Sequence, residues 1–268
     1  MVAAGADAFS GRAADVKWND RSRKEALVRK TIQVLGELLL TVGVILLLFV
    51  GWDLWWTNVV ADHQQDQAVQ NFARDLKGPT APVKPPKPGS PEDFGQIPVT
   101  QPAGHGEMIG VVYIPRFGAD YSRPLIEGTS QDVLDTLGLG HYDQTSMPGA
   151  VGNFALAGHR QTHGAVLDNI HLLQPGDHVY VQTRQGYYTY VYRNTEIVLP
   201  RRVDVLLPVP TDPQARPKER LMTMTSCNPR FGSEERIIAY SALESWRPLS
   251  AGPPQEIAAR VAHNAGNG

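Results

Sequence analysis

Hydrophobic residues are unevenly distributed along the chain, and their longest run lies near the N-terminus. The stretch from Leu38 to Trp52 carries no charged residue and lies within a largely apolar segment, residues 31–56. About 20 apolar residues span the hydrocarbon core of a bilayer as a helix, so this segment predicts one transmembrane anchor. Three tryptophans at its distal end, Trp52, Trp55 and Trp56, are typical of an aromatic belt at a membrane interface.

Basic residues on the N-terminal side of this segment predict its orientation. They are Arg21, Arg23, Lys24, Arg29 and Lys30. The positive-inside rule therefore predicts that residues 1–30 are a cytoplasmic basic tail and that the rest of the chain lies outside, as a single-pass protein of the cell membrane. A cleaved signal peptide is the alternative, but the Trp-rich sequence after the apolar run has no small-x-small cleavage pattern.

Proline dominates the region that follows. Residues 57–76 are polar with scattered apolar positions, which is compatible with a juxtamembrane helix. Between Gly78 and Gly106 there are eight prolines, a density that excludes a central strand and favours an extended, polyproline-like tether. The sequence therefore predicts a juxtamembrane segment and linker over residues 57–106, and a domain that begins at residue 107.

Short apolar or alternating runs between turn signals recur over residues 107–247 and predict a β-rich domain. Seven candidate strands are Met108–Ile114, Pro124–Glu127, Gly152–Ala157, His178–Gln182, Gly186–Leu199, Arg220–Thr225 and Arg236–Glu244. Two short helical stretches are predicted at Ser130–Leu137 and Asp168–Leu173. Seven or eight short strands in a domain of this size favour a closed or nearly closed barrel. Residues 248–268 predict a frayed or weakly helical C-terminal tail.

Charge and cysteine content narrow the function. With 25 basic and 27 acidic residues the net charge is −2, so no overall basic field indicates a nucleic-acid partner. The one cysteine, Cys227, excludes a disulfide scaffold and a cysteine-rich zinc module. Its thiol is either an inert buried group, which is the commoner case, or a reactive one.

The neighbours of Cys227 favour a reactive thiol. Cys227 follows one candidate strand, and a short loop then leads to a second strand that begins at Arg236. Because so short a connection joins antiparallel neighbours, we expect Cys227 and Arg236 to lie close together at one end of the sheet. Thr225 shares the face of Cys227, since side chains alternate along a strand.

A histidine completes the candidate chemistry. His159 ends another apolar run and is a strand-end residue, a place where scaffolds present functional groups. A lone histidine is more often structural, and His163 and Asp168 after it are expected in loop roles. A catalytic cysteine, however, requires a nearby base, and a cation stabilises the negative charge of acyl transfer. Cys227, His159 and Arg236 supply these three parts.

The motifs around these residues resemble those of sortases. Asn153-Phe-Ala-Leu-Ala-Gly-His159-Arg is similar to their histidine motif, and Leu221-Met-Thr-Met-Thr-Ser-Cys227-Asn-Pro followed by Arg236 resembles their Thr-Leu-x-Thr-Cys…Arg signature. The approach His141-Tyr-x-x-Thr-x-Met-Pro-Gly is similar to the actinobacterial, housekeeping-type class E branch. Ser226 departs from the pattern, because many members have threonine there.

This resemblance implies an eight-stranded β-barrel with short helices, preceded by the transmembrane helix. It implies that Cys227 is the nucleophile, His159 the acid/base and Arg236 the oxyanion-stabilising cation of a transpeptidase that needs no metal or organic cofactor. Tyr121, Tyr142 and Thr225 are candidates for the substrate groove, with ordinary packing as the alternative for each.

The resemblance also implies the partners of the reaction. These are secreted proteins with a C-terminal Leu-Ala-x-Thr-Gly or Leu-Pro-x-Thr-Gly sorting signal, cut between Thr and Gly, and an amine acceptor on a peptidoglycan precursor or a pilin. The lipid bilayer is the third partner.

Other functions fit the residues less well. An L,D-transpeptidase carries its histidine close to the cysteine, and a papain-like protease has its cysteine before its histidine, whereas here His159 lies far upstream of Cys227. The non-enzymatic alternative is a membrane-tethered β-domain that binds cell-wall or protein partners, with Cys227 buried and unreactive.

Overall fold

The computed structural model describes residues 11–83 and 94–266 of the chain. The chain divides into two compact units, Met1–Trp55 and Trp56–Gly268. Part of the predicted proline-rich tether, residues 84–93, lies outside the described residues.

A single long helix, α1 (Gly11–Asp75), contains the predicted anchor. Within it, an 18-residue window has a mean hydropathy of 2.5, and none of that window is buried. In the described part of the chain it is the one helix long and apolar enough to cross a bilayer. An exposed apolar surface of this length is unfavourable in water, which supports the predicted transmembrane helix.

Eight strands form a closed barrel in the order β1-β2-β3-β4-β7-β8-β6-β5. They are β1 (Met108–Tyr113), β2 (Ser122–Glu127), β3 (Leu139–His141), β4 (Gly152–Ala157), β5 (His178–Thr183), β6 (Gly186–Val198), β7 (Arg220–Asn228) and β8 (Glu235–Pro248). The predicted fold class, a mostly β chain with an eight-stranded sortase-type barrel, is confirmed.

The helical predictions within the barrel domain are also close to the structure. The helix α2 (Gln131–Thr136) and a 3₁₀ turn at Asp168–Leu172 occupy the two predicted stretches. The strand β3 was not among the candidates, because three residues are too few to show an alternating pattern. It is a strand because it pairs with β2 on one side and β4 on the other.

The barrel interior holds the main hydrophobic core. Residues from opposite sides of the barrel meet there, including Val112, Leu156, Tyr188, Met224 and Ala239, each at most 1% exposed. All six residues of β4 are buried. A strand that is buried on both faces lacks polar alternation, which explains why β4 appears in the sequence as a continuous apolar run.

A second hydrophobic cluster covers the outside of the barrel at β1. Val69 and Phe72 of α1 pack there against the outward-facing Val111 and Tyr113, together with Val261 of the C-terminal helix. That helix is α3 (Ala258–Asn264), and 3₁₀ turns at Leu249–Ala251 and Gln255–Ile257 precede it.

The compact unit that contains the barrel begins at Trp56, upstream of the predicted domain start at residue 107. The C-terminal segment, predicted as frayed or weakly helical, contains helix α3, which packs on the barrel. The physical reason is burial: the outer face of β1 is apolar, and these two flanking helices remove it from water.

Candidate active site

Cys227 lies near the end of β7, where it is partly exposed as a free thiol. In the antiparallel ladder of β7 and β8 it is directly opposite Arg236. Directly opposite residues of such a ladder point to the same face, with Cβ atoms about 4.5–5.5 Å apart. The structure thus pairs Cys227 with Arg236, as the short hairpin between the two strands predicts.

His159 reaches the same end of the barrel through a different ladder. Strands β4 and β7 are parallel, and Ala157 pairs with Thr225. The pairing continues beyond the strand, because the Gly158 N–H donates to the Thr225 carbonyl at 3.2 Å and the Ser226 hydroxyl donates to the Gly158 carbonyl at 2.8 Å. His159 and Cys227 each lie two residues past the Ala157–Thr225 pair, so both residues are at the same end of the barrel.

A carboxylate that the sequence did not indicate holds the histidine ring. The Nε2 atom of His159 lies 2.7 Å from Oδ1 of Asp135, which projects from α2. Burial raises the pKa of Asp135, but hydrogen bonds from His159 and Gln131 lower it more, so the pKa lies below its ordinary range. Asp135 is therefore an anion at neutral pH, and it can orient the ring and stabilise a positive charge on it.

His163 adds a second imidazole to this pair. Its ring centroid is 5.1 Å from that of His159, and its Nδ1 lies 3.7 Å from the same Asp135 oxygen. One carboxylate oxygen and two ring nitrogens thus lie within 4.8 Å of one another. Such a donor set suits a divalent transition metal such as zinc, although the acyl-transfer chemistry requires none.

Two arginines flank the thiol. The Nη1 of Arg236 donates to the carbonyl oxygens of Ser233 and Glu235 at 2.9 and 2.8 Å, which fixes its guanidinium at the start of β8. The Nη1 of Arg160 donates to the Cys227 carbonyl at 3.2 Å and to the side-chain oxygen of Asn228.

Arg160 is the more buried of the two, at 6% exposed. Burial lowers its pKa, while the carboxylate of Asp168 opposes the shift. Sequence reasoning overlooked Arg160, although it stands next to His159 in the quoted motif.

The three residues predicted to line the substrate groove, Tyr121, Tyr142 and Thr225, lie at two different places in the structure. The Tyr142 hydroxyl lies 3.0 Å from the hydroxyl of Thr225, which also donates to the Leu156 carbonyl at 3.2 Å. Tyr142 and Thr225 therefore form a hydrogen-bonded pair, and Thr225 lies two residues before Cys227 on β7. Tyr121 instead donates to the Val166 carbonyl at 2.7 Å, in the loop that follows His159.

Comparison with known proteins places this geometry in context. A family model described as the sortase domain matches residues 112–244. Sortase SrtE1 of Streptomyces coelicolor is 36% identical. The match covers 88% of this chain and 64% of that protein's length. Sortase SrtE2 of the same organism is 31% identical, and the match covers 88% of this chain and 92% of that protein.

Solved structures give the same result. An SrtA sortase from Actinomyces oris matches with a TM-score of 0.59 and 38% identity, over 61% of this chain and 94% of that one. Sortase E from Streptomyces avermitilis matches with a TM-score of 0.53 and 36% identity, over 58% of this chain and 99% of that one.

Proposed function

The chain belongs to the sortase family of cysteine transpeptidases, and we propose that it cleaves the sorting signal of secreted proteins and joins them to a cell-wall amine. The observation that carries this proposal is the grouping of Cys227, Arg236 and His159. The first two are paired across β7 and β8, and the third lies two residues beyond the end of β4, the strand paired with β7. Acyl transfer needs a nucleophile, an oxyanion-stabilising cation and an acid/base, which these side chains supply.

In the first half-reaction the thiolate of Cys227 attacks the carbonyl carbon of the signal threonine. The C–N bond to glycine breaks as His159 gives a proton to the leaving amine, and the substrate remains as a thioester on Cys227. In the second, an acceptor amine attacks the thioester carbon, His159 takes its proton, and the C–S bond breaks. Arg236 stabilises the oxyanion in both tetrahedral intermediates.

The resemblance to class E sortases favours Leu-Ala-x-Thr-Gly or Leu-Pro-x-Thr-Gly as the signal. The acceptor is then an amine of a peptidoglycan precursor or of a pilin. We propose that Tyr142 and Thr225, which are bonded to each other, border the groove beside Cys227, and that Tyr121 shapes it from the loop after His159.

The apolar helix supports a place for this reaction at the cell membrane. The exposed apolar window of α1 would span the bilayer once, with the basic residues 1–30 in the cytoplasm and the barrel outside. On that side of the membrane a sortase meets both the secreted proteins and the cell-wall amines that it joins.

A thioester on Cys227 is the direct test. The full chain in detergent micelles is incubated with each signal peptide, with and without an amine acceptor, and examined by mass spectrometry. We expect an acyl adduct on Cys227, transfer to the amine, and loss of both in Cys227→Ala. A folded chain with an alkylatable thiol that forms no adduct with either peptide would contradict the proposed function.

A further inference from the structure

The last turns of α1 lie against the barrel domain, within the compact unit that begins at Trp56. The buried residues there are Ala61, Gln65, Val69, Phe72 and Ala73, a spacing that puts them on one face of the helix. Four of the five are apolar or small and are explained by packing. Gln65 is 0% exposed, and a buried amide is costly unless it is hydrogen-bonded.

Two amide side chains of this helix hold the loop that follows His159. Asn58 accepts a hydrogen bond from the Gly164 N–H at 2.9 Å and donates to the Gln161 carbonyl at 3.4 Å. Gln65 donates to the His163 carbonyl at 3.2 Å. The approach is close, because a Cβ atom at Gly164 would lie 3.0 Å from the Gln65 amide.

The backbone of this loop needs such support. His163 and Ala165 have φ angles of +53° and +45°, in the left-handed region that costs a non-glycine residue on the order of 1 kcal/mol. Gly164 between them has φ +85°. A run of three residues with positive φ persists only where surrounding contacts determine the conformation. Helix α1 supplies three hydrogen bonds here, to Gly164, His163 and Gln161.

Ion pairs fix the register of the helix against the barrel. Asp62 lies 2.9 Å from Arg123 of β2, and Asp66 lies 3.6 Å from Arg260 of α3. Asp62 lies one turn after Asn58, and Asp66 directly follows Gln65, so a rotation or a slide of the helix would break these pairs. The loop is therefore held by an element with a defined position.

We propose that the helix segment 58–65 is a positioning element of the active site. Asn58 and Gln65 hold the loop so that the imidazoles of His159 and His163 meet Asp135, and they act on the reaction only through that loop. The inference rests on the proposed function, because its main readout is peptide cleavage. A shortened chain that lacks Asn58 and Gln65 would therefore cleave the signal peptide more slowly, although it would still contain the nucleophile Cys227.

The test uses the full chain in detergent micelles. We expect Asn58→Ala to lower kcat for signal-peptide cleavage on the order of tenfold, with KM changed less than about twofold, because a misplaced acid/base slows chemistry more than binding. Asn58→Asp should recover most of the rate, since its carboxylate still accepts from the Gly164 N–H. Gln64→Ala, at an exposed position of the same helix, is the matched control and should leave kcat unchanged.

Amide hydrogen exchange provides a readout that is independent of activity. In Asn58→Ala the Gly164 amide should exchange faster than in the unmodified chain, while the barrel amides keep their protection. Unchanged exchange at Gly164, unchanged kcat, or a kcat loss that Gln64→Ala shares would overturn the proposal. If the unmodified chain cleaves no signal peptide, the proposed function fails instead, and the exchange difference still decides whether Asn58 holds the loop.

Discussion

Cys227 and Arg236 are directly opposite each other in the β7–β8 ladder, so the single thiol faces a guanidinium across two paired strands. The guanidinium is held by the carbonyl oxygens of Ser233 and Glu235, which belong to the same hairpin. Two backbone carbonyls of the hairpin therefore hold its Nη1 atom in place. A planar fork fixed in this way can meet a developing oxyanion beside the sulfur without reorganisation.

Arg236→Lys tests whether the fork is required. A lysine keeps the charge but loses the planar, multidentate geometry, so we expect kcat/KM for peptide cleavage to fall about 100-fold. Alkylation of Cys227 by iodoacetamide should persist and report an intact, accessible thiol. Arg193→Lys, in a surface pair with Glu219, is the control. Near-normal turnover in Arg236→Lys would remove this arginine from the chemistry.

Asp135→Asn tests the partner of the histidine. Asparagine retains a hydrogen-bond acceptor for the His159 ring but removes the negative charge, so we expect kcat to fall about tenfold or more with little change in KM. Asp132→Asn is the matched control, because Asp132 lies on the same short helix with a 72% exposed side chain. Equal losses in the two variants would assign the effect to helix α2 rather than to the Asp135–His159 contact.

These two pairs show what the sequence can and cannot predict. The Cys227–Arg236 contact is local, because one hairpin joins the residues and strand alternation places them on one face. The Asp135–His159 contact is not local. It connects the short helix between β2 and β3 to the loop after β4, and no periodicity or spacing in the chain encodes that meeting. The contacts of Arg160 are also non-local, because its partners lie on β7.

The flanking segments show a second limit. Residues 57–76 and 248–268 are weakly apolar, and neither pattern predicts burial by itself. Val69 and Phe72 of the first segment and Val261 of the second are buried because the outward-facing Val111 and Tyr113 of β1 present an apolar surface to both. The apolar outer face of β1 forms only when β1 pairs with its two neighbouring strands in the barrel, so the sequence alone does not indicate it. For this reason the domain was predicted to begin at residue 107.

Phe72→Ala tests this outer cluster. Phe72 is 4% exposed, and truncating a buried phenylalanine costs about 3–5 kcal/mol of unfolding free energy. We expect a clearly lower urea midpoint for the barrel unit, measured by near-ultraviolet circular dichroism. Phe231→Ala should leave the midpoint unchanged, because Phe231 is 80% exposed. If the two variants unfold alike, the helix contributes no stability and the barrel is independent of residues 56–75.

Asp177→Asn tests an ion pair beside the β1–β5 strand pairing. Arg116 donates to both carboxylate oxygens of Asp177, at 2.7 and 2.6 Å, and joins the turn after β1 to the turn before β5. The hydrogen bond from Arg116 lowers the pKa of Asp177; burial opposes this, and the Gln174 N–H adds to the lowering. The folded pKa therefore lies below the ordinary 3.8 of this carboxyl.

The sign of the pH dependence follows from that depressed pKa. Stability from the pair is fully present above the unfolded pKa, and it is lost as the pH falls through the folded value. We expect Asp177→Asn to lower the melting temperature by a few degrees at pH 7, and the gap to the unmodified chain to narrow as the pH falls below 3.8 toward the folded pKa. Asp120→Asn, at an exposed position, should show no gap at either pH. A gap of equal size at pH 7 and pH 3 would show that Asp177 stabilises the fold through packing rather than through its charge.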